Sequence, residues 1–510
     1  MSARFYDVVV LGTDLAPLLC GALLAKRGFR VLVVPQNEPE PNYSVGPFEL
    51  PARPLRCVFG QTPTAHRVFS ELGLGQSLRR LSTPLDPAFQ IAMPGHRFDV
   101  SRDDTKLARE LGREFPGVRR PIEDFHKRVA RVMQGLDAVL SHDLILPPET
   151  FFERQRFMRA RRALEMPRSD NQDDVLSEFP DEHPFRSLAS LPSRFDGGID
   201  PAHAGLAPPL QLLRLYGNQR RGALAIDGGH FALRELLIQK IQSHSGHVRL
   251  DEHAAELIVT RGQASGLRLS RGGEEISCGF VVAGVDLAAL QRLLPDRSAF
   301  EELFERIGEP QVRQYRYTLN VVLRKRGLPS GLGSSLYLVS GKEHAGPATP
   351  LHVNAQRLDT EHALLSVEAL LSSRRVEDDS SYVPGTRGQI MTALRELLPF
   401  LDEHLVLVDS PHDNRPPEGA VTKLDNTSLA KRGPNTMRAV YSYPVVGALG
   451  LTALPLRTPI KHLLFCNAQI VPGLGSEGLL LAAWGAARLV TWADRSRSWM
   501  RRRLWTKVEM

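Results

Sequence analysis

The sequence is poor in cysteine and in lysine and has no long hydrophobic run, and each shortage excludes something. Four cysteines in 510 residues (Cys20, Cys57, Cys278, Cys466) stand far apart with no C-x-x-C among them, so buried thiols are expected rather than a disulfide framework or a metal cluster. No stretch of 18 apolar residues occurs, and the chain passes from Arg4 straight into an apolar strand without a cleavable leader. Neither a spanning helix nor an export signal is expected. This reading places the protein in the cytoplasm, with contact to the inner membrane face left open. No repeat of 20 to 50 residues is present, which argues against a solenoid or propeller. G-x-S-x-G, a P-loop and H-E-x-x-H are also missing, so hydrolase, P-loop and zinc-protease chemistry have no support.

What is present has ordinary globular composition, 42% hydrophobic and 24% charged, and the length suits about three structural units or two interleaved domains. The formal charge is +7, but only ten of the 64 basic residues are lysine. Genome base composition produces such an arginine bias as readily as an anionic partner does, and with no recognisable binding module nucleic acid is not expected.

The clearest pattern lies in the first forty residues. A continuous apolar run from Asp7 to Leu11, a turn at Gly12, an apolar helix from about Ala16 to Lys26, a turn at Gly28 and a second run from Arg30 to Val34 predict a βαβ unit with both faces of its strands covered. Further helices are expected around His66 to Leu72 and, from the spacing of Phe125, Val129, Val132 and Leu136, over 120–140. The acidic, proline-bearing stretch from Arg168 to Pro184 reads as an exposed loop or lid. Gly228-Gly229 precedes a helix over 231–242, and strands follow at 248–250, 255–260, 264–270 and 280–283. An alternating strand over 315–323 and a helix near 389–398 come next. The chain then gives a strand, the glycine-rich turn Pro472, Gly473, Gly475, Gly478 and a long apolar helix.

This order of blocks resembles the phytoene-desaturase-like branch of the FAD-dependent oxidoreductases. The resemblance covers roughly 160 residues and implies an α/β fold: a discontinuous Rossmann-like FAD-binding domain (1–80, 225–300, 455–495) with an inserted α+β substrate or partner domain (81–224, 301–454) and a basic, Trp-containing tail (496–510). It implies FAD contacts at Gly12, Thr13, Asp14, Ala254, Gly473, Gly475 and Gly478, and no metal. It assigns no catalytic residue, because in such enzymes the flavin itself accepts the hydride. The opening YDVVVLGTDL is also similar to Rab GDP-dissociation inhibitors and Rab escort proteins, which share the fold and hold a prenylated partner.

The dinucleotide motif itself is degenerate. Asp14 and Pro17 replace two of the three glycines that let a diphosphate approach the helix N-terminus. A carboxylate about 4 Å from a phosphate costs on the order of 4 kcal/mol at an effective dielectric near 20. Asp14 can instead cap the helix, and Pro17 suits its first turn. Pro35 and Gln36 stand where an acid would take the ribose hydroxyls, with Glu38 and Glu40 further along as substitutes, and Asn467 replaces a glycine after the last strand. Glu477 stands at the N-terminus of the final helix, an end that in such enzymes supports negative charge on the reduced flavin ring, and it also reads as an ordinary helix cap. His66, His126, His203, His230, His244, His247 and His253 read as structural or surface residues.

Two functions follow. One is a pseudoenzyme with weakened or lost FAD binding that holds an apolar isoprenoid or lipid molecule, or a protein partner. The other is an active FAD-dependent desaturase or oxidase of an apolar substrate. The basic, aromatic segments 151–166 and 495–510 suit an anionic membrane surface.

Overall fold

A computed structural model describes residues 5–36, 40–55, 57–162, 164, 175–199, 208–296, 298–340, 350–419 and 432–494. The tail after Asp494, Glu38 and most of the expected lid lie outside the described residues.

The opening unit forms as its pattern predicts: a strand Phe5–Leu11, a helix Leu15–Lys26 and a strand Val31–Val34. Eleven of the helix's twelve residues are buried, which explains why it shows no polar face. It packs between the helix Gly229–Gln242 and the last helix, Gly475–Ala493. The first strand runs parallel to Val31–Val34 on one side and to Glu275–Ala283 on the other, with Leu11 opposite Val34 and Ala283. His247–Val248 and Leu463–Phe465 add parallel strands, and Ala254–Thr260 with Gln263–Leu269 add an antiparallel wing, making a seven-stranded sheet. Segments from all three sequence blocks therefore meet in one sheet.

A second sheet of nine strands draws on both intervening stretches. Phe89–Met93 and His96–Val100 join Gln311–Arg324, Ser335–Leu338, Leu351–Arg357, His362–Ser372, Leu405–Asp409, Glu418–Gly419 and Arg438–Ser442. Its register puts Thr318 opposite Glu368, Glu368 opposite His352 and His352 opposite Tyr337. All four are buried, so alternation that resembles a solvated strand belongs to a sheet covered on both faces. The polar groups are satisfied inside: Ser335 Oγ lies 2.9 Å from His352 Nε2, and Tyr337 donates to Gln219 Oε1 at 2.7 Å. Helices follow their periodicities. Arg119–Ser141 buries Phe125, Val129, Val132 and Leu136 on one stripe, and all four cysteines are buried.

The lid expectation needs correction where residues are described. Val175, Leu176 and Phe179 are buried, Phe179 stacks on Phe185 at 4.6 Å, and Arg186 donates to the carbonyls of Leu176 and Phe179 at 2.6 and 3.1 Å. Val175, Leu176 and Phe179 anchor this stretch to the core, while Ser177, Glu178, Pro180, Asp181 and Glu182 between and after them are exposed, as expected of a loop.

Candidate functional site

The C-terminal ends of parallel strands are where this topology collects ligands. Here Gly12 to Asp14, Pro35 and Gln36, Gly284 to Asp286, and Asn467 converge, with Ala254 opening the neighbouring wing. Each strand end is held by a side chain or backbone group of the chain itself.

Gly12, at φ 107°, gives its N–H to the Val34 carbonyl at 2.8 Å, and both it and Thr13 are buried. Asp14 stands at the N-cap position of the first helix, but its side chain makes no capping bond. The capping expectation is corrected. The carboxylate is taken instead by Arg53, with Arg438 at 3.7 Å and His230 at 4.0 Å. Burial pushes the Asp14 carboxyl up, yet Arg53, Arg438 and His230 outweigh burial and hold it far below the usual carboxylate range. Asp14 is thus an ion-paired charge rather than a bare one, because two guanidiniums remote in sequence close on it. Pro17 lies in the first turn and packs on Gly284, where a Cβ would collide with the ring.

Gln36 does what an acid at that position could not. Its carboxamide donates to the Ala254 carbonyl at 2.9 Å and accepts from the Ala254 N–H at 3.0 Å. Both backbone groups of Ala254 are consumed by one side chain. Glu40 is paired with Arg234 at 2.5 Å, so it does not reach across as a substitute for the missing acid. Asn467 donates to the Val285 carbonyl at 2.6 Å, and Gln469 accepts from Leu287 N–H at 2.9 Å. Tyr441 donates to Asp286 at 2.8 Å. With the pairing of Arg438 and Asp14, that bond ties the nine-stranded sheet to the strand ends of the other.

The glycines of the last loop are required by the chain's own packing. A Cβ on Gly473 would stand 2.8 Å from Leu451 Cα, one on Gly475 (φ 52°) would strike Asp196, and one on Gly478 would strike the Val471 carbonyl. Residues 196–199 lie over this turn, with Gly198 N–H on the Pro472 carbonyl at 2.8 Å. Gly478→Ala is therefore expected to lower stability by about 1–3 kcal/mol through overpacking, read as a lower denaturation midpoint; an unchanged midpoint would show that the loop can yield.

Glu477 is the other correction. It is fully buried, and instead of capping the last helix it accepts from Arg214 Nε and Nη2 at 3.0 and 2.9 Å, from Asn218 at 3.0 Å and from Thr64 at 3.3 Å. Arg214 also donates to Asp137 at 2.7 Å. Arg53, Arg214 and Arg438 gave no sequence signal, since arginine is abundant throughout. His230, one of the scattered histidines, has its pKa lowered to about 3 by burial and by Arg53. No group of three or more metal-ligating side chains occurs among the described residues.

Similarity to solved structures appears at the level of fold. An oxidoreductase from Methanosarcina mazei matches over 94% of this chain and 99% of its own at 14% identity, with a TM-score of 0.60. Cyclohexylamine oxidase from Brevibacterium oxydans matches over 95% and 98% at 16% identity, with a TM-score of 0.57. A Pyrococcus furiosus protein matches over 96% and 98% at 14% identity and 0.56. No family model matches the sequence, and no curated protein does. The architecture is accordingly the Rossmann-like, FAD-binding-type α/β fold with an inserted α+β layer, as expected. No helix among the described residues is long and apolar enough to cross a membrane.

Proposed function

We propose that this protein keeps the flavoprotein fold without retaining FAD, and that it works by holding an apolar isoprenoid or lipid molecule, or a protein partner, rather than by oxidising a substrate. The observation that carries the proposal is the closure of the strand-end crevice by the chain's own side chains. Gln36 occupies both backbone groups of Ala254, Arg53 and Arg438 close on Asp14, and residues 196–199 cover the turn at 473–475. The residues present do not offer a dinucleotide its usual contacts: the Asp14 carboxylate, with the guanidiniums of Arg53 and Arg438 closed on it, stands where the fold usually presents bare N–H groups. In this reading the segments 81–224 and 301–454 form the partner-binding part.

The second reading is an active FAD-dependent desaturase or oxidase of an apolar substrate. It is favoured by the fold shared with an oxidoreductase and with cyclohexylamine oxidase.

Absorbance of the purified protein between about 350 and 500 nm, with mass spectrometry of released small molecules, separates the two. The expected result is no stoichiometric flavin and, for the ligand arm, a co-purifying apolar molecule. A stoichiometric yellow chromophore overturns the proposal. Asp14→Gly leaves Arg53, Arg438 and a helix N-terminus without their carboxylate. Removing one charge about 6 Å from a phosphate is worth roughly 3 kcal/mol at an effective dielectric near 20, so ADP affinity by calorimetry should rise about a hundredfold. No rise would locate the obstruction in Gln36 and residues 196–199 instead.

A further inference from the structure

The helix Phe151–Arg161 is held firmly on one side and left bare on the other. Thr150 and Glu153 form a capping box, and Glu153, Phe157 and Ala160 face inward, with Glu153 paired to Arg457 at 2.7 Å. The helix's one acid is thereby used up within the protein. Outward stand Phe151, Phe152 and Met158, exposed by 74%, 73% and 54%, with the two phenyl rings in edge contact at 5.7 Å. Arg154, Arg156, Arg159 and Arg162 are exposed around them. Single exposed apolar residues are ordinary on a protein surface, but three on one short helix ringed by cations are not.

The patch continues beyond this helix. A concavity of about 380 Å³ is lined by Arg156, Arg159 and Ala160 together with His142, Asp143 and Leu144. Asp143 accepts from the Trp484 indole at 2.8 Å and pairs with Arg488, whose guanidinium lies 4.4 Å from the ring of Trp492. Trp492, near the end of the last helix, is 43% exposed. Two elements distant in sequence thus present rings beside arginines on one side of the molecule.

We propose that the Phe151–Arg161 helix, together with Trp492, is a docking face for an anionic phospholipid bilayer. Large rings enter the boundary between headgroups and acyl chains, and arginines beside them meet lipid phosphates. Because the helix is capped and anchored in the folded protein, little ordering is needed on binding. The proposal goes beyond the functional reading above and does not rest on whether flavin is held.

Sedimentation of the full chain with vesicles of phosphatidylcholine alone, or with about one third phosphatidylglycerol, tests it. Binding is expected to the anionic vesicles and to be at least about tenfold weaker on neutral ones. The triple variant Phe151→Ser, Phe152→Ser, Met158→Ser, and separately Arg156→Glu with Arg159→Glu, should each weaken binding by about tenfold or more with an unchanged melting curve. Native protein that stays in the supernatant overturns the proposal, as do variants that sediment like the native chain. If removing residues after Asp494 alone abolishes binding while both helix variants bind normally, the tail rather than this face is the anchor, and the proposal fails. It also fails if the patch instead pairs two copies, seen as a doubled mass in light scattering that the triple variant reverts without any vesicle binding.

Discussion

Acidification from about pH 7.5 to about pH 5 should remove roughly 4–6 kcal/mol of stability through three histidines. Burial holds His412 at about 4, burial reinforced by Arg220 holds His126 at about 4, and burial reinforced by Arg53 holds His230 at about 3, all below the ordinary 6.5. The folded protein keeps these rings neutral at a pH where the unfolded chain protonates them. Protons therefore bind the unfolded state preferentially, and stability is full above about pH 6.5 and falls as the pH drops toward 4. Each group contributes about 2 kcal/mol at pH 5, less for one with partial solvent access. Asp409 and Glu149, whose carboxyls burial raises, oppose the trend in the acid range. Urea midpoints at the two pH values measure the effect, and His412→Asn should reduce it by about a third. Equal midpoints would sink this account of the buried imidazoles.

Arg214→Leu should cost on the order of 3–5 kcal/mol, because it strands a buried carboxylate. Glu477 and the Arg214 side chain are both fully inaccessible, and the pair joins the last helix to the helix Pro209–Gly222. Their bonds run in bidentate fashion, with Asn218 and Thr64 filling the remaining carboxylate positions. Arg214 itself stays charged: burial lowers its pKa, but Glu477 and Asp137 more than restore it. The double variant Arg214→Leu, Glu477→Leu removes both charges and should recover most of the loss, since well-packed apolar groups substitute for a buried pair at little cost. If the double variant is as unstable as the single, the pair's hydrogen bonds rather than its stranded charge dominate.

These effects mark the boundary between what the sequence reveals and what it hides. The βαβ unit was legible because strands covered on both faces are continuously apolar from Val8 to Leu11 and from Val31 to Val34. The helix over 119–141 was legible because one stripe faces the core. The loss of glycine at Asp14 and Pro17 was legible too, but its meaning was not. Asp14 looked like an uncompensated charge because Arg53 and Arg438 lie far along the chain, and nothing in an arginine-rich sequence singles them out. Glu477 looked like a cap because its partner lies 263 residues away. In the sequence Gln36 stands out only as a missing acid, whereas its carboxamide matches the donor and acceptor of Ala254. Thr318, Glu368 and His352 fall on alternate positions that ordinarily face water, and only the register of the nine-stranded sheet puts them inside.

The first helix has its apolar surface covered by the last one, where Arg27 bonds Thr491 at 3.2 Å and its guanidinium lies 5.3 Å from the ring of Trp484. The strand Leu463–Phe465 likewise completes the sheet begun by the opening residues. During synthesis, then, the opening unit emerges more than 400 residues before this part of its cover exists. The face of the first helix that the last helix covers must wait, open to solvent or to a chaperone, until residues 475–493 have emerged. A nonsense codon anywhere ahead of residue 475 leaves that greasy surface permanently bare, so early termination should yield aggregates or degradation products rather than a working fragment.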